Sequence, residues 1–206
     1  VARIEIETPT GPAWADLDAA RKSPGLFMIG HGAGGSVDAP DLLAVRDSLV
    51  AAGVSVARIT QPYRVAGRRA PAPIARLDEA WLAVTAALRG RRGLTGLPIV
   101  HSGRSSGARV ACRCAAAGGA AAVVALAFPV HPPGKPDKSR VEELLAVEVP
   151  VLVVQGDRDA FGQPPAELFV AGRRELVLIA GADHSLKKNP AAIAEAVTAF
   201  VLDIFG

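Results

Sequence analysis

Short apolar runs follow one another along nearly the whole chain, and between them lie stretches whose apolar residues recur at helical spacing. No other feature restricts the fold as much. A continuous apolar run suits a strand buried on both faces, and two parallel strands need a crossover long enough to hold a helix. The alternation therefore predicts an α/β architecture, a mainly parallel twisted sheet with helices on both faces.

The elements can be read in order. Arg3 to Thr8 alternates like an edge strand, and Leu26 to Gly30 reads as a buried one. Asp38, with Pro40 just inside, opens a helix to about Ala52, followed by a strand from Val54 to Ile59. A Pro-, Arg- and Gly-rich loop leads to a helix from about Ile74 to Leu88, and Pro98 to Ser102 is a short central strand. A helix from Ser106 to Ala117 follows at once. Ala121 to Phe128, Val151 to Gln155 and Leu176 to Ile179 are further strands, and Pro190 to Ile204 makes a C-terminal helix with an apolar stripe. The alanine-rich stretch from Ala115 to Ala122 reads as a helix end, a Gly-Gly stop and a strand start. With 206 residues, no repeat and no low-complexity linker, the expectation is one domain over residues 1–206.

Composition narrows the function classes. The net charge is only +3 and the arginines are scattered, so a nucleic-acid footprint is not expected. Cys112 and Cys114 lie two apart on a predicted helix and point to different faces, which disfavours a mutual disulfide and shared metal ligation. No metal or other cofactor is expected. The first residues do not read as a basic-then-apolar leader. The longest apolar run, Ala115 to Val130, is interrupted by glycines and a proline and is shorter than the ~20 residues a spanning helix needs. A soluble, cytoplasmic protein with no membrane partner is the expectation.

The strongest local signal is Gly103-Arg104-Ser105-Ser106-Gly107, a G-x-S-x-G sequence between a predicted strand and a predicted helix. Such a turn forces the serine into strained backbone geometry, and the residues two before and two after must be small for strand and helix to approach. Only Ser105 has glycine on both sides at that spacing. For Ser106 the flanks would be Arg104 and Ala108.

A serine hydroxyl becomes a nucleophile when a base accepts its proton and an acid holds that base in one tautomer. Gln155-Gly156-Asp157-Arg158-Asp159 leaves one strand and Gly181-Ala182-Asp183-His184-Ser185 leaves the last, giving the chain order Ser, Asp, His. Of the two carboxylates Asp157 is placed to close the turn through its own backbone, whereas Asp159 has cleared the strand and can reach the histidine loop. His31, His101 and His131 fit the base position less well and read as structural or pocket-wall residues.

A second glycine-rich segment, Gly30-His31-Gly32-Ala33-Gly34-Gly35, has two readings. As an oxyanion loop it would offer the N–H of Ala33 beside that of Ser106. As a dinucleotide fingerprint it would use Gly30, Gly32 and Gly35. Against the second, the helix begins near Asp38 rather than within the glycines, and the next strand ends Arg58-Ile59-Thr60-Gln61, with no carboxylate for a ribose.

Taken in order, GHGAGG, GRSSG, VQGDRDAFG and GADHSL resemble small α/β-hydrolases of the dienelactone hydrolase-like kind. The likeness is nearer to a lidless subgroup related to testis-expressed and chromatin-complex hydrolase-like proteins, through Arg68 to Pro71 (RRAP) and Phe128 to Arg140 (FPVHPPGKPDKSR). It implies an α/β-hydrolase fold without a cap domain, Ser105 as nucleophile, Asp159 as acid, His184 as base, and Ala33 and Ser106 as oxyanion donors. The chain departs from the pattern in having His101-Ser102 before the elbow and Ser106 where the family often has Met.

The expected function is hydrolysis of a small-molecule acyl substrate, an ester or lactone, through an acyl-enzyme. The alternative is a non-catalytic binding or scaffold protein, against which the intact trio argues. About twenty residues separate Phe128 from Val151, enough for a stiff rim and a short helix near Val141 to Leu145 but not for a cap. Lys135, Lys138 and Arg140 on that rim, with Arg64, Arg68 and Arg69 on another loop, read first as solvated loop charges and, as a second reading, as a mild preference for anionic acyl groups.

Overall fold

In the computed structural model, which describes residues 1–170 and 172–206, eight strands form one sheet. The chain opens with β1 (Ala2–Ile6), β2 (Ala13–Asp18) and β3 (Leu26–Gly30), followed by α1 (Pro40–Ala51) and β4 (Ser55–Thr60). Next come α2 (Pro62–Val65), α3 (Ile74–Arg89), β5 (Ile99–Arg104) and α4 (Ser106–Arg113). The last part holds β6 (Ala122–Leu126), α5 (Val141–Leu145), β7 (Val151–Gly156), β8 (Arg174–Ile179) and α6 (Pro190–Phe205). Strand order is β1-β2-β4-β3-β5-β6-β7-β8; the pairs β1/β2 and β2/β4 are antiparallel and the others parallel. The mainly parallel α/β sheet is as expected.

Alternation along the central strands sorts their side chains between two helical layers. Phe27, Ile29, Val124, Leu126, Leu152 and Val154 pack with residues of α1 and α6. The intervening Leu26 and Met28 face Leu77, Trp81 and Val84 of α3, and Val123, Ala125 and Val153 face Ala108 and Ala111 of α4. Cys114 and Cys112 fall in these two separate clusters, both free and buried. Between β6 and β7 the helical structure is α5 alone, so no cap domain stands over the sheet. No helix among the described residues is long and apolar enough to cross a membrane.

Several local expectations are corrected. Strand β2 was not anticipated: its inward residues, Ala13, Ala15 and Leu17, are mostly small, and Asp16 and Asp18 lower its strand propensity. Pairing on both edges, with β1 and β4, supplies what propensity does not. Asp38 does not cap α1; Ala39 occupies that position, and the Asp38 carboxylate accepts from the buried Arg58 guanidinium. Helix α4 ends at Arg113 rather than Ala117. The chain must then bring Gly118 against the His101 ring, where a methyl group would lie 2.4 Å from Cε1.

Phe27 is fully buried in β3 while Leu178 on edge strand β8 is 47% exposed. In urea denaturation Phe27→Ala should lose about 3–5 kcal/mol, whereas Leu178→Ala should stay within ~0.5 kcal/mol of wild type.

Candidate active site

The loops singled out in the sequence all leave the carboxyl ends of parallel strands. Gly30 pairs with Gly103 across β3 and β5, so the glycine-rich loop and the serine turn start side by side. Gly156 pairs with Ile179 across β7 and β8, so the two loops bearing Asp159 and His184 do the same.

Ser105 has φ 54° and ψ −113°, a left-handed conformation that costs a non-glycine residue on the order of 1–3 kcal/mol. Its N–H donates to the Leu126 carbonyl at 2.9 Å, tying the turn to β6. The flanking glycines are a steric necessity. A methyl group on Gly103 would lie 2.3 Å from the carbonyl carbon of Gly107, and one on Gly107 would lie 2.8 Å from the carbonyl oxygens of Gly30 and His31.

Beyond the turn the three predicted side chains meet. His184 Nε2 is 2.8 Å from Ser105 Oγ, and His184 Nδ1 is 2.8 Å from Asp159 Oδ2. Because an ionised carboxylate only accepts, Nδ1 carries the proton and Nε2 is left to accept from the serine hydroxyl. The Asp159 side chain is fully buried and also accepts from the Phe161 N–H and the Gln155 amide, each at 2.8 Å. Asp157, the carboxylate set aside above, is exposed, and the hydrogen bonds of the His184 ring among the described residues go to Asp159 and Ser105 instead. Asp183 closes its own turn by accepting from the Ser185 N–H and hydroxyl, which hold its carboxyl below the usual range.

Two contacts in this cluster join partners that the sequence does not pair. The Phe161 ring stacks on the His184 imidazole, centroids 3.8 Å apart and 20° from parallel, covering one face of the ring. Gly156 lets the Asp159 and His184 loops touch: a methyl group there would lie 2.4 Å from the Ala182 carbonyl oxygen, which instead accepts from the Arg158 N–H at 3.0 Å. The glycine in VQGDRD could have hinted at a close approach, but not at its partner.

The glycine-rich loop lies against the serine turn, since a methyl group on Gly32 would be 3.5 Å from Ser105 Cβ. Among the described residues neither the Ala33 N–H nor that of Ser106, the first residue of α4, has a hydrogen-bond acceptor. Arg64, one of the cations on the other loop, donates to the Gly35 carbonyl at 3.0 Å. The other histidines are structural. His31 accepts from the Gln61 N–H at 3.2 Å with its other nitrogen 2.9 Å from the Gly32 carbonyl, and burial pushes its pKa down. His101 accepts from the Trp81 indole at 3.3 Å and is pushed down to about 4 by burial. His131 packs beside Gly162 of the Asp159 loop. An open cleft of about 400 Å³, lined by Arg104, Arg158, Ala160, Asp183, His184 and Ser185, adjoins the cluster.

A sequence profile described as an alpha/beta hydrolase domain matches residues 23–198. No curated protein has significant sequence similarity to the chain. Among solved structures, an α/β serine hydrolase without lid from Xanthomonas campestris is similar, at 22% identity over 98% of this chain and 94% of that one, with a TM-score of 0.76. Est1E from Butyrivibrio proteoclasticus is 21% identical over 99% of both chains, TM-score 0.79. Dienelactone hydrolase from Anabaena variabilis is 20% identical over 98% of this chain and 96% of that one, TM-score 0.79. At these identities the likeness is one of fold.

The glycine argument can be checked by stability. Gly103→Ala, which forces overlap with the Gly107 backbone, should lose ~3 kcal/mol or more, or fail to fold. Gly134→Ala, at a left-handed position with nothing within 4 Å, should lose only about 1–2 kcal/mol by the same denaturation measurement.

Proposed function

The chain belongs to the α/β-hydrolase family, and on that premise we propose that it is a serine hydrolase of small acyl esters or lactones. Ser105 is the nucleophile, His184 the base and Asp159 the acid that orients it. The observation that carries this reading is the unbroken run of hydrogen bonds from Asp159 through His184 to the hydroxyl of a serine held at positive φ. We further assign the chain to the lidless subgroup related to testis-expressed and chromatin-complex hydrolase-like proteins, on the segments Arg68 to Pro71 and Phe128 to Arg140.

The reaction follows from the proton positions. Ser105 Oγ attacks the acyl carbonyl as its proton passes to His184 Nε2, and the imidazolium formed is stabilised by the buried Asp159. The carbonyl oxygen gains negative charge as the tetrahedral intermediate forms, and the N–H groups of Ala33 and Ser106 are the donors assigned to it. On collapse the acyl–oxygen bond breaks and His184 returns its proton to the leaving alcohol. Water then attacks the acyl-enzyme, again deprotonated by His184, and releases the acid and free Ser105.

A fluorophosphonate probe with p-nitrophenyl acetate turnover tests the assignment. Wild type should label, and Ser105→Ala should neither label nor turn over while keeping its melting temperature. Ser106→Ala should be mild, since its backbone N–H survives. Asp159→Asn should lose about 10⁴-fold in kcat, as expected when the histidine is left in the wrong tautomer, and Asp157→Asn little. Dead Ser106→Ala with active Ser105→Ala would move the nucleophile. The rate should also fall on acidification, because a protonated imidazole cannot accept the serine proton.

Without a cap over the cleft, there is little apolar wall to receive a long acyl chain, and each CH₂ buried elsewhere would be worth about 0.8 kcal/mol. Across p-nitrophenyl esters kcat/KM should therefore peak at short chains. An optimum beyond about ten carbons would contradict the open-site reading.

A further inference from the structure

The residue preceding the serine is a long cation, Arg104, which none of the steps above uses. Only 19% of its side chain is exposed. Nη1 donates to the carbonyl oxygen of Ser185, the residue after His184, at 3.1 Å. Nη2 lies along the glycine-rich loop, where a methyl group on either Gly32 or Gly35 would be 3.5 Å away. Nε faces Asp41 Oδ2 at 3.8 Å, and neither of those atoms has a hydrogen-bond partner among the described residues. Asp41 belongs to the first turn of α1 and its side chain is 1% exposed. Burial pushes its carboxyl up, and the Arg104 charge opposes that shift.

An isolated carboxylate this deeply buried would be strongly unfavourable, and the guanidinium is the cation facing it. A planar fork can engage several acceptors in fixed directions, which an ammonium cannot. Arg104 thus starts on the serine turn, hydrogen-bonds to the His184 loop, runs beside the glycine-rich loop and pairs its charge with Asp41 of α1. These segments converge from strands that are not all neighbours: β3 and β5 adjoin, whereas β8 lies three strands from β5.

We propose that Arg104 is a positioning residue, whose guanidinium, held by Asp41, keeps the His184 loop and the Ala33 loop in register with Ser105 Oγ. This rests on the serine-hydrolase reading above. Because Arg104 also lines the cleft beside His184 and Arg158, direct contact with substrate is the competing role, and it would act on KM rather than kcat.

The test measures kcat, KM and fluorophosphonate labelling rate for wild type, Arg104→Met, Arg104→Lys, Asp41→Asn and the Arg104→Met/Asp41→Asn double variant. Met keeps the stem without the fork, and Lys keeps the charge. Arg104→Met should lower kcat and the labelling rate together by about 10–100-fold with KM nearly unchanged, as small misplacements of catalytic groups do. Arg104→Lys should be intermediate, and the double variant should be little worse than Arg104→Met, since both changes disrupt one unit. If Arg104→Met does not fold, the same split is read from Arg104→Lys. An unchanged kcat in the folded variants, or a rise in KM alone, overturns the positioning role while leaving the hydrolase intact. A wild type that neither labels nor turns over overturns both.

Discussion

Three glycine backbones meet where β5 turns into α4, and the rest of the site depends on their having no side chains. Gly103 and Gly107 nearly touch across the turn, and Gly107 lies on the carbonyl oxygens of Gly30 and His31 at the end of the neighbouring strand. That contact brings the first turn of α4 against β3, so the N–H of Ser106, the loop carrying Ala33 and the Ser105 hydroxyl are gathered at one place. The strained φ of Ser105 is tolerable because the turn is held on both sides, by the Leu126 carbonyl and by the buried helix that follows.

The other half of the site has to cross the sheet. Ser105 follows β5, while His184 follows β8, three interstrand spacings or roughly 14 Å away. The Asp159 loop bridges the gap. Gly156 admits the Ala182 carbonyl, the two loops pair through the Arg158 N–H, and Asp159 ends at the Nδ1 edge of the imidazole. A buried charge there would be costly alone, but two N–H donors besides the histidine satisfy it, and charge-assisted bonds of this kind are strong. With Phe161 stacked on its face and Asp159 on its edge, the imidazole has little freedom left.

The remaining buried histidines are used as neutral hydrogen-bonding groups. Burial depresses both His31 and His101, and each accepts a hydrogen bond that a protonated ring could not: His31 from the Gln61 backbone, His101 from Trp81. His31 thereby joins the end of β4 to the glycine-rich loop. The mostly buried His184, by contrast, has one nitrogen on the serine.

Much of this architecture is legible in the amino-acid sequence. The alternation of apolar runs with helical patterns specifies a parallel α/β sheet because a buried strand and its crossover each leave a local pattern. The glycines around Ser105 announce a tight turn because their spacing is itself the steric requirement. The choice of Asp159 over Asp157 followed from how far the chain travels after a strand. Strand β2 was missed because its pairing with β1 and β4, rather than its own composition, stabilises it. Likewise Phe161, Gln155, Gly156 and Arg104 carry no local mark of their partners, which lie on other loops. The sequence by itself determined most of the elements and which side chains each loop carries, since both depend on residues close together in the chain. Which loops meet was decided only by the strand order, because sheet neighbours and the directions of their ends are long-range properties that no local spacing records.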